Sequence, residues 1–179
     1  MKRNELARRA HKDYYDRCKE AIKDGYYLEA LCLEYSAMES RVASILSMID
    51  MPCGNLNNED TFDIGIHVKL NCIKKCLGDN DVFRKSKLNK KQVAKIISWK
   101  YKRNKIIHRL FANPNEYETI IKECKDYAIE GFEYVDILYK EANRIRYIKN
   151  HHKEILENSN FKCPAISKTC ETFLQKSSQ

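Results

Sequence analysis

Glycine and proline are scarce in this sequence, with five Gly and three Pro among 179 residues, well under the ~12% that the two average together. Strand-and-turn architectures lean on both residues, so this composition argues against them. No apolar stretch approaches the ~18 residues of a membrane span. The opening MKRNELARRAHKDYY also lacks the apolar centre that a secretory signal needs. A Gly-rich phosphate loop, a Ser-His-Asp order and a zinc-ligand set are all missing. Kinase, triad-hydrolase and zinc-enzyme chemistry therefore have little to stand on, and no metal or cofactor is expected.

Acidic residues are outnumbered, 25 Asp and Glu against 33 Lys and Arg, which leaves a net charge of +8. A polyanion is a more natural partner for such a chain than a cationic surface. The eight cysteines, at positions 18, 32, 53, 72, 76, 124, 163 and 170, form no CxxC pair and no zinc-ribbon spacing. Several fall on predicted helix faces, where a thiol packs as a small hydrophobe. Reduced cysteines and a cytoplasmic location are the expectation.

The apolar residues that are present recur at helical spacing, which predicts an all-α chain of about five helices packed up and down. The first helix runs from about Asn4 to Asp24, with Gly25 as its C-cap. The second carries Leu28, Leu31, Tyr35, Met38, Val42, Ile45 and Ile49 in steps of three and four, and Pro52 stops it. Its charged exceptions, Glu34, Glu39 and Arg41, read by default as a solvated edge. A shorter helix spans about Phe62 to Leu77 and ends at Gly78; a metal shared by its Cys72 and Cys76 lacks a second ligand pair. After the basic connection GDNDVFRKSKLNKK, a fourth helix runs from about Lys90 to Phe111, with Asn89 and Gln92 spaced as a capping box. The run NPNE then supplies an N-cap, a proline at the first helical position and a box partner for a fifth helix that continues past Gly131 to about Glu157. Residues 1–157 are read as one domain, and 158–179 as a polar tail expected to be partly disordered.

The chemistry concentrates in the fourth helix, in WKYKRNKIIHRLF. On a helical wheel with Val93 at zero, Ile97, Asn104, His108 and Phe111 fall between about 0° and 60°, so Asn104 lies within an apolar stripe and His108 at its shoulder. A second apolar group, Ile96, Trp99, Ile106 and Leu110, spans about 220° to 300° and contains Arg103 at about 280°. A helix apolar on two sides is expected to meet its own bundle with one and a partner chain with the other. Arg103 and His108 are about 140° apart, too divergent for one helix to aim both at one atom. Two copies related by a two-fold axis would bring both kinds of group to one cleft.

Those groups suit RNA cleavage without metal. An Arg pairs bidentately with a phosphate whose charge builds in the transition state, while an imidazole moves the proton of a ribose 2′-OH or of the leaving 5′-oxygen. The products are a 2′,3′-cyclic phosphate and a 5′-OH end, and DNA has no 2′-OH to react.

The run RNKIIH, Arg103 to His108, resembles the R-x4-6-H motif of HEPN-domain ribonucleases, including the frequent polar residue, here Asn104, directly after the Arg. The order of elements is similar too: a periodic helix with an internal Glu, then the motif helix, then further helices. The resemblance covers about residues 5 to 145 and implies a HEPN-like bundle that acts as a homodimeric endoribonuclease in toxin-antitoxin or antiviral defence. RNA would be the substrate, and a nucleotidyltransferase-type antitoxin a further partner. Arg103 would bind the phosphate, Asn104 position it and His108 act as acid or base, with Glu39 of the earlier helix orienting the site. Arg146 with His151, Arg144 with His151 and Arg146 with His152 satisfy the same spacing, but they lie near the tail and Arg146 is followed by Tyr147. His11, His67 and His152 are assigned nothing. The competing expectation is a non-catalytic HEPN-like module that binds nucleic acid or a protein partner within a defence complex.

Overall fold

The computed structural model describes residues 3–49, 65–77, 83 and 86–157. It is an all-α bundle of five helices: α1 (Arg3–Lys23), α2 (Tyr27–Met48), α3 (Ile66–Cys76), α4 (Lys90–Ala112) and α5 (Tyr117–Glu157). No strand occurs among the described residues. The basic connection between α3 and α4 and the tail from residue 158 lie mostly or wholly outside them, as does the stop expected at Pro52.

Local chemistry accounts for the boundaries. Gly25 ends α1 with φ +83°, a left-handed conformation that side-chain-bearing residues rarely adopt. Asn89 caps α4 by accepting the Gln92 N–H through its Oδ1 at 2.9 Å. The reciprocal half of that capping box does not form, since the buried Gln92 Oε1 has no partner among the described residues. At NPNE the expected box is replaced by a 3-10 turn, Pro114–Glu116, ahead of α5. Glu116 is drawn off to Arg109 at 3.0 Å, and Arg109 also grips Glu123 at 2.8 Å, tying the end of α4 to α5.

Helix α2 is central and packs on α1, α3 and α5, while α4 packs on α3 and α5. Its apolar face buries Leu31, Met38, Val42 and Ile45 completely. Partners from α5 include Ile120, Val135, Leu138 and Ile145. Trp99 of α4 closes this core at 1% exposure and donates its indole N–H to the Tyr127 carbonyl at 2.9 Å. Gly131 lets α5 come close at this point. A Cβ there would overlap the Glu34 carboxylate and come within 2.6 Å of the Trp99 ring.

The solvated edge expected for α2 is not what forms. Glu34 is fully buried and Arg41 is 3% exposed, both among the core residues of their helix. With Leu31 at zero on the wheel, Glu34 and Arg41 fall at about 300° and 280°, beside Met38 and Ile45, so the geometry of the helix carries them inward.

Candidate functional site

The two apolar stripes of α4 have separate fates. Ile96, Trp99 and Ile106 are buried, and this is the side turned to the bundle. The other stripe is divided along its length: Val93 is fully buried and Ile97 packs half-buried against the core, whereas towards the C-terminal end Ile107 is half-buried, His108 is exposed and Phe111 is 79% exposed. Around the rest of the helix, Lys91, Lys95, Lys102 and Lys105 are exposed. The motif helix thus shows a core face, a second apolar stripe open at its C-terminal end, and a basic face.

Arg103 belongs to the core side of this division. Its guanidinium lies 5.0 Å from the centre of the Tyr35 ring, and Nη2 points to Cys32 Sγ at 3.5 Å. Nη1 donates to the Asn104 side-chain oxygen at 3.2 Å, while the buried Nε has no partner. Tyr35 and Cys32, which share a face of α2, therefore hold the arginine, and neither was among the expected site residues. The signal for them was present: on the α2 wheel Tyr35, Glu39 and Cys32 lie together between about 40° and 100°. Burial raises the Tyr35 hydroxyl's pKa, with Glu39 adding to the rise and the Arg103 charge opposing it.

Of the four expected residues, Arg103 and Asn104 are in contact. His108 lies exposed on the outer stripe, while Arg103 is half-buried against α2. Glu39 bonds to neither Arg103 nor His108 among the described residues; its Oε1 accepts from Lys69 Nζ at 3.4 Å, and Lys69 is 1% exposed. A carboxylate within reach of a buried ammonium is held by it in preference to a solvated partner. The look-alike motifs are occupied locally: Arg146 donates to Asn143 at 3.1 Å and Arg144 to Glu141 at 2.6 Å. The His151 ring stacks on Tyr147 with its Nδ1 2.9 Å from the Tyr147 carbonyl. His11 sits 3.3 Å from Ser40 Oγ.

Among the described residues no group of three or more His, Cys, Asp or Glu side chains could hold a metal ion. Cys18, Cys32 and Cys124 are free thiols, whereas Cys72 is disulfide-bonded, so the expectation of uniformly reduced cysteines fails there. That bond also removes Cys72 from any metal-ligand pair with Cys76, whose Sγ instead points to the Cys72 carbonyl at 3.0 Å. No described helix is long and apolar enough to cross a membrane. Compared with protein-family models, curated proteins and solved structures, the chain matches none.

Proposed function

We propose that this chain is a HEPN-like endoribonuclease of the toxin or antiviral-defence type that acts as a homodimer without metal. The observation that carries the reading is the open C-terminal end of α4's outer stripe, where the 79% exposed Phe111 and the exposed His108 lie beside the half-buried Asn104 and Ile107. An apolar stripe beside a titratable side chain is suited to burial against a second copy of itself, with a two-fold axis placing two His108 rings at one cleft. Lys102 and Lys105 beside it supply charge for the phosphate backbone.

In this mechanism His108 takes the proton from a ribose 2′-OH, whose oxygen attacks the adjacent phosphorus. The P–O5′ bond breaks, the 5′-oxygen gains a proton from the partner's imidazole, and Arg103 Nη groups pair with the charge on the phosphoryl oxygens. Asn104, hydrogen-bonded to Arg103, fixes the approach of that guanidinium. The test is to incubate the purified protein with single-stranded RNA in chelator and to analyse the ends. Cyclic-phosphate products that disappear with His108→Ala support the reading; intact RNA at every enzyme ratio, or equal cleavage by the variant, removes it.

One observation favours a second reading. Arg103 is engaged by Tyr35, Cys32 and Asn104, with its Nε buried, as for an arginine that serves packing. A non-catalytic HEPN-like module would retain salt-sensitive RNA or partner binding after His108→Ala and would never yield a cyclic phosphate. A cytoplasmic toxin under a nucleotidyltransferase-type antitoxin would arrest growth when expressed alone, and Arg103→Ala would relieve the arrest.

A further inference from the structure

The positive charge of the chain is concentrated rather than spread. Helix α4 holds six Lys and two Arg and no Asp or Glu. Taking those eight from the 33 basic residues leaves 25, which the 25 acids balance, so the net charge of +8 resides in this one helix. With Val93 at zero on the wheel, Lys91, Lys95, Lys102 and Lys105 fall between about 120° and 200°, a row along one side with a rise of about 21 Å. All four are exposed, and none is ion-paired among the described residues. Arg109 continues the line at about 160°, but Glu116 and Glu123 hold it, which ends the row.

Like charges three and four residues apart repel one another and weaken a helix. Solubility alone does not call for that arrangement, since α1 interleaves its basic residues with Glu5, Asp13, Asp16 and Glu20. A polyanion lying along the row relieves the repulsion. A membrane does not fit, because Ile96, Trp99 and Ile106 are packed into the bundle and the row presents Lys and Ser98 to solvent. An aromatic ring favours nucleic acid over an acidic polypeptide. Tyr101 is 56% exposed and, at about 80°, stands between the row and His108 at about 60°. Lys100 Nζ lies 4.4 Å from the centre of its ring, so charge and a stacking surface come together.

We infer that the row from Lys91 to Lys105, with Tyr101, is a track for a single-stranded polynucleotide, held by its phosphates and by an unpaired base on the tyrosine ring. Phosphates and bases are common to both nucleic acids, so the track takes DNA as well as RNA. Binding does not require cleavage; only the role of the track in leading a substrate to His108 rests on the ribonuclease reading.

The experiment is fluorescence anisotropy of the full chain with a labelled DNA strand of about 15 nucleotides, which has no 2′-OH to react. Four phosphate contacts on a single strand predict binding that weakens about 50-fold between about 50 and 200 mM salt. The combined variant Lys91→Ala, Lys95→Ala, Lys102→Ala and Lys105→Ala is expected to bind at least about tenfold more weakly at the lower salt, with a flatter salt dependence. Tyr101→Ala should weaken binding about fivefold and leave the salt dependence as it was. A control removes the same charge from exposed positions of α1, through Lys12→Ala, Arg17→Ala, Lys19→Ala and Lys23→Ala, and is expected to keep most of the affinity. Alanine at exposed helical positions preserves the helix, which circular dichroism checks. Three results overturn the inference: no binding at the lower salt, equal weakening by both fourfold variants, or displacement by polyglutamate or phosphatidylserine vesicles at a lower charge concentration than by unlabelled strand. Equal affinity for the duplex form overturns the single-strand assignment. RNA left intact by a protein that binds DNA removes the ribonuclease reading alone, whereas RNA cleaved by a protein that does not bind DNA removes the track alone.

Discussion

Helices α2 and α4 depart from ordinary burial in opposite directions. The first takes an acid and a base into its core face, with Glu34 fully buried and Arg41 at 3% exposure; the second leaves Phe111 79% exposed on an apolar stripe. In α2, both Glu34 oxygens and Arg41 Nη1 are buried without a hydrogen-bond partner among the described residues. In α4 the apolar surface is what lacks a partner. A polar group without its complement and an apolar side chain without its cover both favour something from outside the fold: a proton for Glu34, a second surface for Phe111.

The two faces of α4 can be separated by mutation. Trp99→Ala removes a fully enclosed ring and its bond to Tyr127, and is expected to cost about 3 to 5 kcal/mol in urea or guanidinium unfolding. A loss below about 1 kcal/mol would mean that the inner stripe is not the core face. On α2, burial lifts the Glu34 carboxyl to about 9. A folded pKa above the unfolded one means that this group's contribution is fully present below about 4.5 and is lost as pH rises through about 9. Stability is thus expected to fall between pH 5 and 8.5 by up to about 1.4 kcal/mol per pH unit, and Glu34→Gln to flatten the decline in urea midpoints across that range. Equal slopes in the two proteins would place Glu34 in solvent.

Smaller effects sharpen the contrast. Asn89→Ala deletes the cap on α4 and is expected to cost about 1 kcal/mol by the same unfolding measurement. Phe111→Ser, on the outer stripe, should change unfolding free energy by no more than about 0.5 kcal/mol. On the proposed reading of a homodimeric ribonuclease, it should nonetheless weaken self-association in sedimentation velocity and lower RNA cleavage in parallel. If Phe111→Ser destabilises the chain as Trp99→Ala does, the outer stripe is core and the comparison fails.

Much of the fold was legible in one dimension. The three-and-four spacing of Leu31, Met38, Val42 and Ile45, the glycine after α1 and the Asn89 cap are local signals, and the helices begin and end close to where those signals stand. Glu34 and Arg41 were legible too, because their wheel positions lie inside the apolar sector; a charge-based default hid what the angle indicated. The pairing of Glu39 with Lys69 spans 30 residues and links α2 to α3, and no local spacing signals it.

What the sequence determined by itself is the helical content, the approximate ends of the elements and the presence on α4 of two apolar stripes with Arg103 in one and Asn104 and His108 on the other. These follow from side-chain periodicity and from caps, which act within a turn or two of the chain. Only the tertiary structure decided which stripe is buried, where Arg103 rests and which charges go inside. Those outcomes depend on α2 and α5, distant in sequence, meeting α4 around Trp99, and on Gly131 leaving room for Glu34 between them. Periodicity says that a face will be covered; packing against other helices selects what covers it.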